Sequence, residues 1–170
     1  MTLARALTAL AAVVTALVLQ VTVFPHVAWD GIVPNLVLLV VVAAALTRGP
    51  QFAAVLGFVA GVSLDLAPPA DHVAGRWALA LVLVGYLAGR VRQDQKPTTS
   101  TVVMTVAGAS FIGSSVFALS GMLLGEPGTG VGGVLAVVLV AVVWDVLLTP
   151  FVLPPLMGMF RRLEPDRVTA

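Results

Sequence analysis

Charged residues are nearly absent from the long apolar runs between Ala6 and Phe160 and gather at the joints between them. Only 10% of residues are charged and 59% are hydrophobic, against roughly 25% charged in an ordinary soluble domain. With a mean hydropathy of +1.08, the chain has too little polar surface to coat a water-facing globule. These features predict an all-α integral membrane protein folded as one transmembrane domain over residues 1–170.

A spanning helix needs about 20 predominantly apolar residues. The runs and their punctuation place six spans near 6–23, 34–47, 52–67, 74–91, 101–124 and 131–160. The joints are Phe24-Pro25-His26, Arg48-Gly49-Pro50, Ala67-Pro68-Pro69, the polar stretch from Arg92 to Pro97, and Gly125-Glu126-Pro127-Gly128. The second run is short, roughly 21 Å of helix at about 1.5 Å per residue, so five spans with one re-entrant segment is the alternative. Pro150, Pro154 and Pro155 lack amide protons and are expected to break or kink the sixth span. The first run exceeds the 7–15 apolar residues of a secretory signal and lacks an Ala-x-Ala end, which reads as a retained helix.

Basic residues set the orientation. Six spans with the N-terminus inside put Arg5, Arg48, Arg90, Arg92, Lys96, Arg161, Arg162 and Arg167 on the cytoplasmic side and leave Arg76 alone outside. Both termini are therefore expected in the cytoplasm of a bacterial cell, with the protein multi-pass in its plasma membrane. A net charge of +1 provides no basic field for nucleic acid.

Within the spans, polar residues are few enough to take one at a time. Asp65 shares a helix face with Gly57 and Gly61, and Arg76 begins the next span at similar depth, so an Asp65–Arg76 salt bridge is expected, with Asp71 competing for the same Arg. Asp145 lies about 14 residues into the sixth span, roughly 21 Å from its outer end. It is expected near the inner face, paired with a snorkelling Arg48 or Arg90; the sharper reading is a proton- or ion-coupled site. Their depths rule against a dyad of the two acids. Gln20 is a candidate interhelical hydrogen bonder, and Ser110, Ser114, Ser115 and Ser120 are expected to bond to backbone or neighbouring helices. Gly57/Gly61, Gly85/Gly89 and Gly121/Gly125 recur at four-residue spacing, which allows close helix approach either to a partner or within the bundle. No zincin, phosphate-loop or Gly-x-Ser-x-Gly pattern occurs. There is no Cys, and the two histidines, His26 and His72, stand in separate loops. No catalytic, metal or cofactor residue is assigned.

The punctuation, taken in order, resembles that of the MreD family of rod shape-determining membrane proteins. The residues concerned are Leu19-Gln20 with Phe24-Pro25, Pro34-Asn35-Leu36, Ala45-Leu46 with Gly49, Gly57-Phe58 with Gly61 and Asp65, Gly75 with Ala78-Leu79, Gly85-Tyr86 and Gly89-Arg90, followed by the Pro-rich sixth span. The outer loop departs from the family pattern, with Ala67-Pro68-Pro69-Ala70-Asp71 in place of an acidic stretch followed by glycine. The resemblance implies a bundle similar to the substrate-binding subunits of energy-coupling-factor vitamin transporters. It also implies a non-enzymatic scaffold of the cell-elongation (rod) complex, supporting lateral peptidoglycan synthesis and cell shape. Implied partners are a bitopic MreC-type protein and, through it, actin-like MreB, a SEDS glycan polymerase and a class B transpeptidase; a second copy of the chain is a further partner to test. A vitamin-binding subunit of an energy-coupling-factor transporter and an ion-coupled carrier are the competing readings, the carrier disfavoured because no internal duplication is visible.

Overall fold

The computed structural model describes residues 3–29, 31–68, 72–91, 97–125 and 130–162. It contains six α-helices: α1 (Leu3–Thr22), α2 (Leu36–Arg48), α3 (Pro50–Asp65), α4 (Arg76–Arg90), α5 (Thr99–Leu123) and α6 (Val131–Arg162), with a 3-10 turn at Phe24–Val27 after α1. No strand forms among the described residues; Trp29 and Ile32 make one isolated bridge. Arg92, Lys96, Arg167, Asp71 and Glu126-Pro127-Gly128 lie outside the described residues.

Among the described residues three helices are long and apolar enough to cross a membrane: α1, α5 and α6. Their outward faces are apolar at helical spacing. On α1 these are Leu3, Leu7, Leu10, Val14 and Val18, and on α6 Leu135, Leu139, Val143, Leu147 and Phe151. So much contiguous apolar exposure is incompatible with water. The opposite face of α1 (Ala9, Val13, Ala16, Gln20) is buried, as are Val138, Asp145, Thr149, Leu153, Met157 and Phe160 of α6.

α2 is different in kind. It has 13 residues, roughly 20 Å of helix, and no residue from Leu36 to Thr47 is more than 5% exposed. It touches all five other helices. A helix apolar all round is one surrounded by protein, and its short length follows: it is the axial rod of the bundle rather than a helix bathed in lipid. A single residue, Gly49, joins it to α3. That backbone has φ 88°, a region glycine enters freely, and Pro50 starts α3, where a missing amide proton does no harm.

Helical assignment continues along α6 through Pro150, Pro154 and Pro155, so of the expected break or kink the break does not occur. The three prolines lie on the exposed side of the helix, where the rings do not press into the packed face. Opposite ends of the bundle differ in charge. Arg48 lies over the Phe52 ring at 5.0 Å, Phe52 meets Phe160 edge-on at 6.2 Å, and Gly89 abuts Pro50. Arg48, Arg90, Arg161 and Arg162 therefore share one end, and Asp65 and Arg76 occupy the other.

Candidate functional site

The four-residue glycine spacing has a direct structural meaning on α3 and α4, whose interface is the most extensive in the bundle. A Cβ built on Gly57 would press into the Leu81 carbonyl, and one on Gly61 would lie 2.5 Å from the Ala78 nitrogen. From the other side, a Cβ on Gly85 would stand 2.6 Å from the Ala53 carbonyl carbon and one on Gly89 2.5 Å from the Pro50 nitrogen. The two pairs lie at different levels of one seam, each closed against the backbone of the opposite helix. A partner helix cannot reach them. Gly121 and Gly125 make no such seam among the described residues: Gly121 gives room to the Arg76 guanidinium, and Gly125 has φ +76° with no described atom within 4 Å of where its Cβ would stand.

Asp65 does not bridge to Arg76. Its Oδ2 accepts from the Gly75 and Ala78 amides at 2.9 and 3.1 Å, and its Oδ1 accepts from the Trp77 amide at 3.0 Å. His72 Nε2 approaches Oδ1 at 3.2 Å. The carboxylate thus caps α4 from the end of α3, where Gly75 offers no side chain to do so, and helix N-termini favour negative charge. Arg76 turns instead toward α5. Its Nε and Nη2 donate to the Phe117 carbonyl at 3.2 and 2.7 Å, and Nε also reaches Ser120 Oγ at 3.3 Å. The guanidinium carbon sits 3.9 Å above the Phe117 ring, and Trp77 stacks on that ring at 4.4 Å. Arg76 is only 6% exposed.

Asp145 is likewise not paired with Arg48 or Arg90. It accepts from the Asn35 amide and from Ser110 Oγ, both at 2.7 Å, and is 1% exposed. The physical reason is the short α2. Because this helix starts inside the bundle, its first amides have no water, and lipid-embedded backbone must find partners within the protein. Asp145 takes the Asn35 amide, Gln20 Oε1 takes Val37 at 3.2 Å, and Asn35 Oδ1 takes Leu38 at 2.9 Å. Thr149 Oγ1 donates to the Asp145 carbonyl at 2.8 Å. Asp65 and Asp145 have separate partners and form no dyad. Asn35, Ser110 and Thr149 were not legible as companions of Asp145; the one signal was the position of Asn35, an N-cap residue type, just ahead of the most apolar run.

Over this end of α2 lies a cavity of about 350 Å³. Asn35 and Gln20 line it, together with Arg76, Trp77 and Phe117 on one side and Val134, Val137 and Val138 on another. The structure therefore brings Gln20, Asn35 and Arg76 to a single space, although they lie on three separate segments. Asn35 Nδ2 and Trp144 Nε1 are buried without a hydrogen-bond acceptor among the described residues. No group of three or more His, Asp or Glu able to hold a metal occurs among the described residues.

Comparison with known proteins gives a single positive finding. Neither the curated proteins nor the solved structures match the chain. A family model described as rod shape-determining protein MreD matches residues 2–157 of the 170. With nearly the whole chain covered, and with helices able to cross a membrane, this transmembrane protein belongs to the MreD family of cell-shape determinants.

Proposed function

We propose that the protein is a non-enzymatic scaffold subunit of the bacterial cell-elongation complex. On this reading it holds an MreC-type bitopic protein by helix–helix contact and, through it, actin-like MreB, a SEDS glycan polymerase and a class B transpeptidase, in support of lateral peptidoglycan synthesis. Family membership carries the reading. The use of the intramembrane acids agrees with it: Asp65 caps α4 and Asp145 caps α2, so both hold helices in place. With the glycines of α3 and α4 each closed on the opposite helix's backbone, the partner contact falls to the outer faces of the bundle. The protein is multi-pass in the plasma membrane with both termini cytoplasmic; the gathering of Arg48, Arg90, Arg161 and Arg162 at one end supports this under the positive-inside rule.

A second reading, the substrate-binding subunit of an energy-coupling-factor vitamin transporter, draws on the cavity lined by Gln20, Asn35 and Arg76. Purification of the tagged chain from its native membrane in mild detergent, followed by mass spectrometry, separates the two. Recovery of an MreC-type protein with wall synthases is the expected result. Recovery of ATP-binding subunits with a coupling membrane protein instead would sink the scaffold reading.

A further inference from the structure

We propose that the cavity above the amino end of α2 binds a membrane amphiphile, seated with an oxygen-acceptor head on Asn35 and Gln20 and its hydrocarbon against the valine wall of α6. This inference requires neither the scaffold nor the transporter reading. At about 350 Å³ the space falls in the range of small-molecule sites, which pair apolar walls with a few placed polar groups.

The chemistry of the floor selects the head. Asn35 is 7% exposed. Its amide and Oδ1 are engaged by Asp145 and Leu38, while Nδ2 has no acceptor among the described residues. A buried amide donor left without an acceptor is unfavourable. Gln20 uses its carbonyl oxygen on the Val37 amide, so what it offers to the cavity is a donor as well. Asp145, which takes the Asn35 backbone amide, already receives a second hydrogen bond from Ser110 Oγ. A molecule presenting oxygen acceptors matches this set, and one presenting donors does not.

The walls select the body and its route. The most exposed lining residues are Met122 at 39% and Val137 at 46%, and they stand on α5 and α6, two of the helices whose outer faces are apolar. An opening there faces the hydrocarbon, so the occupant arrives from the bilayer. Water is the simplest competitor, but a buried water needs two to four polar partners, and most of this lining is apolar.

Native mass spectrometry of the full chain in mild detergent tests the idea, with oleate, monoolein and phosphatidylglycerol as separate probes. Asn35→Ser retains an N-cap oxygen for Leu38 but removes the Nδ2 donor. Ala118→Leu fills lined space without touching the floor. The wild type should retain a probe; Asn35→Ser should weaken retention about three- to tenfold, the loss of one hydrogen bond, and Ala118→Leu more than tenfold. Thermal melting of both variants verifies that each is folded. Retention of oleate alone identifies a free carboxylate as the head, whereas retention of monoolein or phosphatidylglycerol identifies a lipid headgroup. No retention of any probe by the wild type overturns the proposal, leaving the cavity to water. Retention unchanged in both variants overturns it too, since the bound lipid is then annular. A photoreactive residue at Val137 that crosslinks to protein and to no lipid would assign the cavity to a partner side chain instead.

Discussion

Gly61→Ala tests whether the α3–α4 seam is a closed structural joint. The new Cβ would lie 2.5 Å from the Ala78 nitrogen and equally close to the Trp77 carbonyl oxygen. These are main-chain atoms of a helix, so no side chain can swing aside. To restore ordinary contact near 3.4 Å with these atoms and with the still closer Ala78 α-carbon, α3 and α4 must part by about 1 Å at this level. Overpacking of this kind costs about 1–3 kcal/mol, or about 2–12 °C in melting temperature for a chain of this size. Gly108→Ala on α5 is the matched control. Its Cβ would meet nothing within 4 Å, and the same change there gains up to about 1 kcal/mol of helix propensity. The two variants should therefore move in opposite directions in a tryptophan-fluorescence melt in detergent. A double variant adds a sharper criterion. Gly57 and Gly61 close against the same helix, so the separation forced by one substitution relieves the other, and Gly57→Ala/Gly61→Ala should cost less than the sum of its parts. If Gly61→Ala melts with Gly108→Ala yet loses its co-purifying partner, the seam is open to other helices and the packing argument is wrong.

The two acids give contrasting predictions. Asp145→Ala leaves the buried Asn35 amide without an acceptor and should destabilise by about 1–3 kcal/mol, whereas Asp145→Asn, able to accept from Asn35 and donate to Ser110 Oγ, should cost about 1 kcal/mol; equal melting of the two would remove the cap from the explanation. Asp65→Asn turns an N–H2 toward amides that need acceptors and should destabilise by about 1–3 kcal/mol. Exchanging Asp65 and Arg76 should not restore stability, because an arginine at position 65 has no acceptor to offer α4; rescue by the exchange would reinstate a simple ion pair. The chain lacks cysteine, so single cysteines at Val73 and Thr98 can be labelled in intact cells with a membrane-impermeant maleimide. Val73 should label and Thr98 should not, and the reverse pattern would invert the proposed orientation.

How much of this was legible in the sequence depended on how far apart the interacting residues lie. The apolar runs and their Pro, Gly and Arg joints are local, and six helices emerged within a few residues of the expected limits. The glycine spacing announced close approach, but only the fold could say that Gly57/Gly61 meet the α4 backbone at Leu81 and Ala78 while Gly85/Gly89 meet that of α3 at Ala53 and Pro50. Asp65 and Arg76 are opposite charges eleven positions apart, a pattern that invites a salt bridge. Three amides at the start of α4 were nearer, and the long Arg76 side chain could reach the Phe117 carbonyl. Asp145 was the hardest to place, because its partner Asn35 is 110 positions away.

One physical rule connects the misplaced residues and could have located them. A helix beginning in water leaves its first amides to solvent, whereas one beginning inside a membrane bundle must borrow acceptors from its neighbours. A run too short to span and apolar on every side, as Leu36–Thr47 is, has to begin or end inside. Its first amides then require side-chain oxygens from other helices, and here Asp145 and Gln20 supply them. An acid deep in a span is accordingly best sought opposite the amino end of a short apolar helix before it is given a proton, an ion or an arginine.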